Sequence, residues 1–90
     1  MSAEIELSSI LGRYTNKQLN IKVEGSTVGE CLDDLFRQYP DLKKMLINSE
    51  GKLHRSYDIY INGASAYPME MKKPVQDGDK LNIVFIIYGG

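Results

Sequence analysis

Three stretches of the chain alternate apolar and polar residues with period two. Ile5 and Leu7 oppose Glu4 and Glu6; Leu19, Ile21 and Val23 oppose Asn20, Lys22 and Glu24; Tyr57, Ile59 and Ile61 oppose Asp58, Tyr60 and Asn62. Each pattern predicts a strand with one buried and one wet face. Between the second and third the period becomes helical, with Val28, Leu32, Leu35, Phe36 and Tyr39 on one stripe. Thr27-Val28-Gly29-Glu30 fits a capping box, with Thr27 as N-cap and Glu30 reaching back. Pro40 ends this helix, because the residue before a proline is pushed out of the helical region. Leu42, Met45 and Leu46 suggest a short second helix. Asn48 to Gly51 reads as a loop, Asn62-Gly63 as a turn, and Asp77-Gly78-Asp79 as a tight turn before a last strand.

That last strand, Leu81 to Ile87, breaks the alternation. Leu81, Ile83, Phe85 and Ile87 share one face, while Val84, Ile86 and Tyr88 lie on the other, where the earlier strands are polar. Apolar residues on both faces predict a central strand. The second face is either a partner surface or a face covered by Met69, Met71 or the loop before them. The order is strand, strand, helix, strand, irregular segment, strand, without repeats or linkers. The economical α+β solution packs one helix, from about Thr27 to Tyr39, across a mixed sheet. It buries Leu32, Leu35, Phe36, Ile59, Ile61, Leu81, Ile83 and Phe85 together.

Composition narrows the function classes. Ninety residues predict one domain, 1–90, burying roughly 60–65% of the unfolded chain's surface. That leaves no room for a deep enzyme cleft. A formal net charge of -1 gives no argument for nucleic acid or an anionic membrane. No apolar run reaches membrane-spanning length, and the first residues carry no secretion-signal pattern. The single cysteine, Cys31, can form no internal disulfide, and a reducing cytoplasm is the expected compartment.

Side-chain chemistry is sparse. Cys31 beside Leu32 reads as a structural, partly buried thiol without a base nearby in sequence. His54 alone makes no metal site and reads as surface or loop packing. Asp33 and Asp34 read as outward, solubilising carboxylates. Phe36, Tyr39, Tyr57 and Tyr60 read as core and sheet packing, since no basic stripe accompanies them. Lys52, His54 and Arg55 form a small basic segment, either a solvated loop or a docking site for an acidic partner. The remaining candidate is the ending Tyr88-Gly89-Gly90. Two residues without side chains can thread a narrow channel and present a carboxylate to a second enzyme; the plain alternative is a frayed terminus.

Taken together, the order of elements, the Asp77-Gly78-Asp79 turn, the apolar last strand and Gly89-Gly90 resemble the MoaD/ThiS family of ubiquitin-like sulfur carriers. The resemblance covers essentially the whole chain. Gly51-Lys52-Leu53-His54-Arg55 and Asp58-Ile59-Tyr60-Ile61-Asn62 are most similar to the subgroups of cysteine biosynthesis (CysO-like) and thiocarboxylate siderophores (QbsE-like). The chain departs from many relatives at Ile86-Ile87-Tyr88, where small or proline-containing residues are common.

The resemblance implies a ubiquitin-like β-grasp fold with 88–90 as a projecting tail. It implies a protein co-substrate rather than an enzyme, with no bound cofactor. A MoeB/ThiF-like enzyme would use ATP to adenylate the Gly90 carboxylate, with Gly89 as its slim neighbour. A sulfur donor would then leave a thiocarboxylate for a sulfur-accepting biosynthetic enzyme. A JAMM-type zinc metalloprotease acts at the tail in the same subgroups. The resemblance also raises Lys52, His54, Arg55, Val84, Ile86 and Tyr88 as partner-binding residues. The chain itself has no P-loop or dinucleotide fingerprint, so phosphate chemistry would belong to the partner. A ubiquitin-like modifier joined through Gly90, a molybdopterin or thiamin sulfur carrier, and a plain interaction domain are the other readings.

Overall fold

A computed structural model describes residues 2–86. In chain order it contains β1 (Ser2–Leu7), a 3-10 turn (Ser9–Tyr14), β2 (Asn20–Glu24), α1 (Val28–Gln38) and α2 (Asp41–Leu46). Then follow β3 (Tyr57–Ile61), β4 (Ala64–Ser65), a 3-10 turn (Glu70–Lys72) and β5 (Lys80–Phe85). The strands form one sheet in the order β2-β1-β5-β3-β4. β1 and β5 are parallel and every other pairing is antiparallel. β5 is therefore central, as its two apolar faces predict.

Register carries the alternation across the sheet. Ile21 pairs with Ile5, Ile5 with Leu81, and Leu81 with Ile61; one row on, Leu7 pairs with Ile83 and Ile83 with Ile59. A slip of one residue would turn each of these side chains to solvent. The α1 stripe closes the core, with Val28, Cys31, Leu32, Leu35 and Phe36 buried against it. Leu42 and Leu46 of α2 join the same core, so the second helix is present as expected.

Two expected core positions differ. Phe85 is 39% exposed. It stands opposite Tyr57 on β3, but the pairing of β1 with β5 ends at Leu7 and Ile83, so no strand flanks it on the other side. Its ring meets Tyr57 edge-on, with centroids 5.5 Å apart. Ile61, the last residue of β3, is only half-buried. Three elements absent from the sequence reading also appear: the two 3-10 turns and the two-residue β4. The Ser9–Tyr14 turn buries Leu11, and Thr15 follows it fully buried, its hydroxyl donating to the Gln18 carbonyl.

The glycine turns form as read. Asn62 and Gly63 have φ of 49° and 88°, and Gly78 has φ of 87°, a left-handed backbone suited to asparagine and glycine. These turns also bond beyond themselves. The Asn62 side chain accepts from Lys80 N–H and donates to Asp79 Oδ1, both at 2.9 Å. Gly78 N–H donates to Ser2 C=O at 2.8 Å, and Ser2 N–H to Asp77 Oδ1 at 3.0 Å. The Asp77-Gly78-Asp79 turn thereby holds the start of β1 beside β5.

The start of α1 is capped with one variation. Thr27 Oγ1 accepts from Glu30 N–H at 3.1 Å. The Glu30 carboxylate reaches to Ser26, taking its N–H and hydroxyl at 2.8 Å each. Asp34 departs further from expectation, because it does more than solubilise. Its carboxylate accepts from Glu24 N–H at 2.9 Å and pairs with Arg37. Gln38 donates to Lys22 C=O at 3.0 Å. Side chains of α1 thus occupy backbone groups on the outer edge of β2, where an open edge would invite another chain.

The Glu24 N–H, and then Arg37 and Gln38, hold the Asp34 carboxyl below its ordinary range. The unfolded chain therefore takes up the Asp34 proton first as pH falls. The stabilisation is complete above the unfolded carboxylate value of about 3.9 and is lost as pH drops through the lower folded value. Asp34→Ala is expected to lower stability at pH 7 and to flatten its loss on acidification. Urea midpoints at pH 7 and pH 3 check this; parallel acid losses in both proteins would contradict it.

Candidate functional site: the end of β5 and the groove beside it

β5 delivers the chain to one end of the sheet at Ile86, whose N–H donates to Ser56 C=O at 2.7 Å. Val84 and Ile86 are half-buried. Val84 pairs with Asp58 beside the half-buried, polar Asn82 and Tyr60, so the face opposite the helix is partly open there. Tyr88, Gly89 and Gly90 lie outside the described residues. The two candidate covers lie across a groove from Ile86 and not beside Val84. Met71 sits over Gly29 of α1, where an added Cβ would stand 3.1 Å from the Met71 carbonyl oxygen. Met69 is 54% exposed. Both line that groove, which Ile86 shares and Val84 does not.

The groove has a volume of about 740 Å³ and runs between the segments 51–58 and 67–72. It brings together Lys52, His54, Arg55 and Ile86, four of the residues singled out in the sequence. Lys52 and Arg55 are exposed on its rim. His54 is half-buried and packs the loop, as expected. Its Nδ1 accepts from Ser56 N–H at 3.1 Å, its own N–H donates to Leu46 C=O at 2.7 Å, and its ring lies edge-on to Tyr57.

Of the opposite wall, sequence reading named Met69 and Met71, as covers for the last strand's second face, and missed Tyr67 and Lys72. Tyr67, Met69 and Lys72 belong to the irregular segment before β5, and Tyr67 is 72% exposed. The available signal was Tyr67-Pro68-Met69 itself, apolar residues that fit neither a strand period nor the helix stripe.

Cys31 is fully buried, more so than expected. Burial first, then the Glu30 and Asp34 carboxylates, push its thiol up to about 11. It is thus a packed thiol rather than a nucleophile at neutral pH. Among the described residues no group of three or more His, Cys, Asp or Glu side chains is placed to hold a metal ion, and no helix is long and apolar enough to cross a membrane.

Comparison with known proteins agrees with this architecture. The model of the ThiS family matches residues 6–90. The chain is 29% identical to the sulfur carrier protein CysO of Mycobacterium tuberculosis, over all of both chains. Its fold superposes on the Amycolatopsis orientalis BexX/CysO complex structure with a TM-score of 0.87 at 29% identity, covering 98% of this chain and 99% of that one. SAMP1 of Haloferax volcanii gives a TM-score of 0.85 at 25% identity, with all of both chains covered. With its helix packed across a five-stranded mixed sheet, the chain has the ubiquitin-like β-grasp fold and belongs to the ThiS family.

Proposed function

We propose that this protein is a sulfur carrier whose reactive group is the Gly90 carboxylate. The observation that supports the reading best is the similarity to CysO sulfur carriers across the full chain, together with a family match that extends through Gly90. The protein is then a co-substrate of other enzymes and not itself a catalyst. An α-carboxylate of pKa about 3.3–3.7 is ionised at neutral pH and resists nucleophilic attack. A MoeB/ThiF-like partner must therefore activate it. The carboxylate oxygen attacks the α-phosphate of ATP, expelling pyrophosphate and forming an acyl-adenylate. A sulfur donor then attacks the carbonyl carbon and AMP departs, leaving a thiocarboxylate.

That sulfur is the nucleophile for a biosynthetic acceptor, in the making of cysteine, a related amino acid or a thiocarboxylate metabolite. A JAMM-type metalloprotease would act at the same tail. In this reading Val84, Ile86 and Tyr88, with Lys52, His54 and Arg55, form the surface that partners grip next to the reacting end.

The test is intact mass after incubation with ATP, sulfide and the cognate adenylating enzyme. Replacing one oxygen by sulfur adds about 16 Da. An unmodified chain would overturn the reading. A second reading, a protein modifier joined to lysines through Gly90, is favoured by the similarity to SAMP1, a small archaeal modifier protein. A ladder of covalent conjugates in the host would select it.

Ile86→Asp is expected to slow thiocarboxylate formation by weakening the grip of the adenylating enzyme. The fold should survive, since Ile86 lies past the end of β5 and is only half-buried. Initial rates against carrier concentration, with circular dichroism as the folding control, check this. Unchanged rates in a folded variant would count against the docking role.

A further inference from the structure

The groove beside Ile86 exposes apolar surface that the fold does not use. Ile10, Tyr67, Met69 and Phe85 are the large apolar or aromatic side chains left exposed among the described residues. Tyr67 and Met69 line this groove, and Phe85 packs against Tyr57 in its wall. Two of the four thus line this one groove, and a third touches a residue of its wall. An apolar patch with a polar rim marks a recognition surface more often than chance exposure does.

The rim specifies the charge of what it receives. Lys52 and Lys72 are exposed on it, and neither has an ion-pair partner among the described residues. Lys80 shows what a satisfied lysine looks like in this fold, with its ammonium 3.0 Å from Glu6 and 3.8 Å from Glu4. Arg55 adds a third cation to the rim. Two carboxylates, Asp58 and Glu70, also line the groove, the first accepting from Ile59 N–H at 2.8 Å and from the Ser65 hydroxyl, so cations outnumber acids there by three to two. The chain as a whole carries a net charge of -1, so this positive rim is local.

We propose that the groove docks an extended acidic segment of a partner protein. Its carboxylates meet Lys52 and Lys72, and a large apolar side chain of the segment seats against Tyr67 and Met69. The charges orient the segment and the apolar anchor holds it. The partner's identity as an enzyme that handles the C-terminus rests on the sulfur-carrier reading; the docking chemistry does not. Ile86 lines the groove and stands four residues before Gly90 in the sequence, a reach of at most about 14 Å of extended chain.

The experiment is an amide-resolved NMR titration of the whole chain. The probe is a nonapeptide of glutamates and aspartates around a Leu-Phe pair; the control carries lysines in place of the acids. Shifts confined to 51–58, 67–72 and Ile86, seen with the acidic peptide alone, support the proposal. Combined charge reversal, Lys52→Glu with Lys72→Glu, should weaken binding about tenfold or more, and Met69→Ala should weaken it without changing its salt dependence.

No shifts at millimolar peptide, or equal shifts with the basic control, would overturn it. So would concentration-dependent shifts of these residues without peptide, which would make a second copy the occupant. Shifts at the groove on removing residues 87–90 would make the chain's own end the occupant and overturn it likewise. The intact-mass assay is independent of these outcomes, so failure of the carrier chemistry and failure of the docking proposal are separately visible.

Discussion

A chain lacking Gly90 is expected to form no thiocarboxylate, at any enzyme concentration that fully converts the intact chain. The expectation follows from placing the chemistry on a main-chain carboxylate and not on a side chain. Deleting Gly90 moves the carboxylate to Gly89 and shortens the reach into the partner by one residue, about 3.3–3.6 Å of extended chain. A near-attack geometry tolerates far smaller errors than that. Stability should change little, because Gly89 and Gly90 carry no side chains to bury and a terminal residue adds few contacts. Gly89→Val should slow the reaction strongly for a related reason: a branched side chain adds bulk and removes the backbone freedom of glycine. Intact mass and thermal unfolding on the same samples check both halves. Thiocarboxylation of the Gly90-deleted chain at the normal rate would place the chemistry elsewhere.

Truncating Phe36 to alanine is expected to cost about 3–5 kcal/mol. Phe36 lies on the buried stripe of α1 at 9% exposure, in the same core as Ile59, Leu81 and Ile83. Its loss removes apolar surface and leaves a void that a helix bonded at both ends closes poorly. One end of α1 is tied to Lys73 C=O through Val28 N–H at 3.0 Å, and the other to β2 through Asp34 and Gln38. In a domain of this size each kcal/mol shifts the unfolding midpoint by roughly 4–8 °C, so the change should be large in a thermal scan. A shift of only a few degrees would mean that the α1–sheet interface is looser than described. Phe85→Ala provides the contrast. Its exposed ring touches Tyr57 at the sheet end, and its loss should cost much less.

Much of the fold was legible because its signals are local. Alternation marked the faces of β1, β2 and β3, and each of Ile5, Leu7, Ile21, Val23, Tyr57 and Ile59 is buried. The α1 stripe and its Thr27 cap depend on neighbours three and four residues away. The Asn62-Gly63 and Asp77-Gly78-Asp79 turns depend on residues that accept a left-handed backbone. The site was legible only in part. Lys52, His54, Arg55 and Ile86 were marked in the sequence and do meet at one groove. Val84 remains on the sheet face, Met69 was named only as a cover for the last strand, and Tyr67 and Lys72 were not foreseen. Their segment has no period to read: its own bonds are single local turns, such as Lys72 N–H to Met69 C=O at 3.1 Å, and its flanks are tied to distant backbone through Ala66 N–H to Ile59 C=O at 2.8 Å and Val75 N–H to Ser26 C=O at 2.9 Å.

By itself the sequence determined which residues face inward, where the chain turns, and that its chemistry has no side-chain candidate better than its end. Those properties follow from backbone geometry over a few residues, where side-chain type and spacing are sufficient. Tertiary structure alone decided that β1 lies parallel to β5, that Asp34 ties the helix to the edge of β2, and that Phe85 stays exposed beyond the end of β1. It also decided that a basic loop and a distant apolar segment form the two walls of one groove. Each of these joins residues far apart along the chain. Periodicity states that a face must be covered; only the packed structure supplies what covers it, and what it leaves open for a partner.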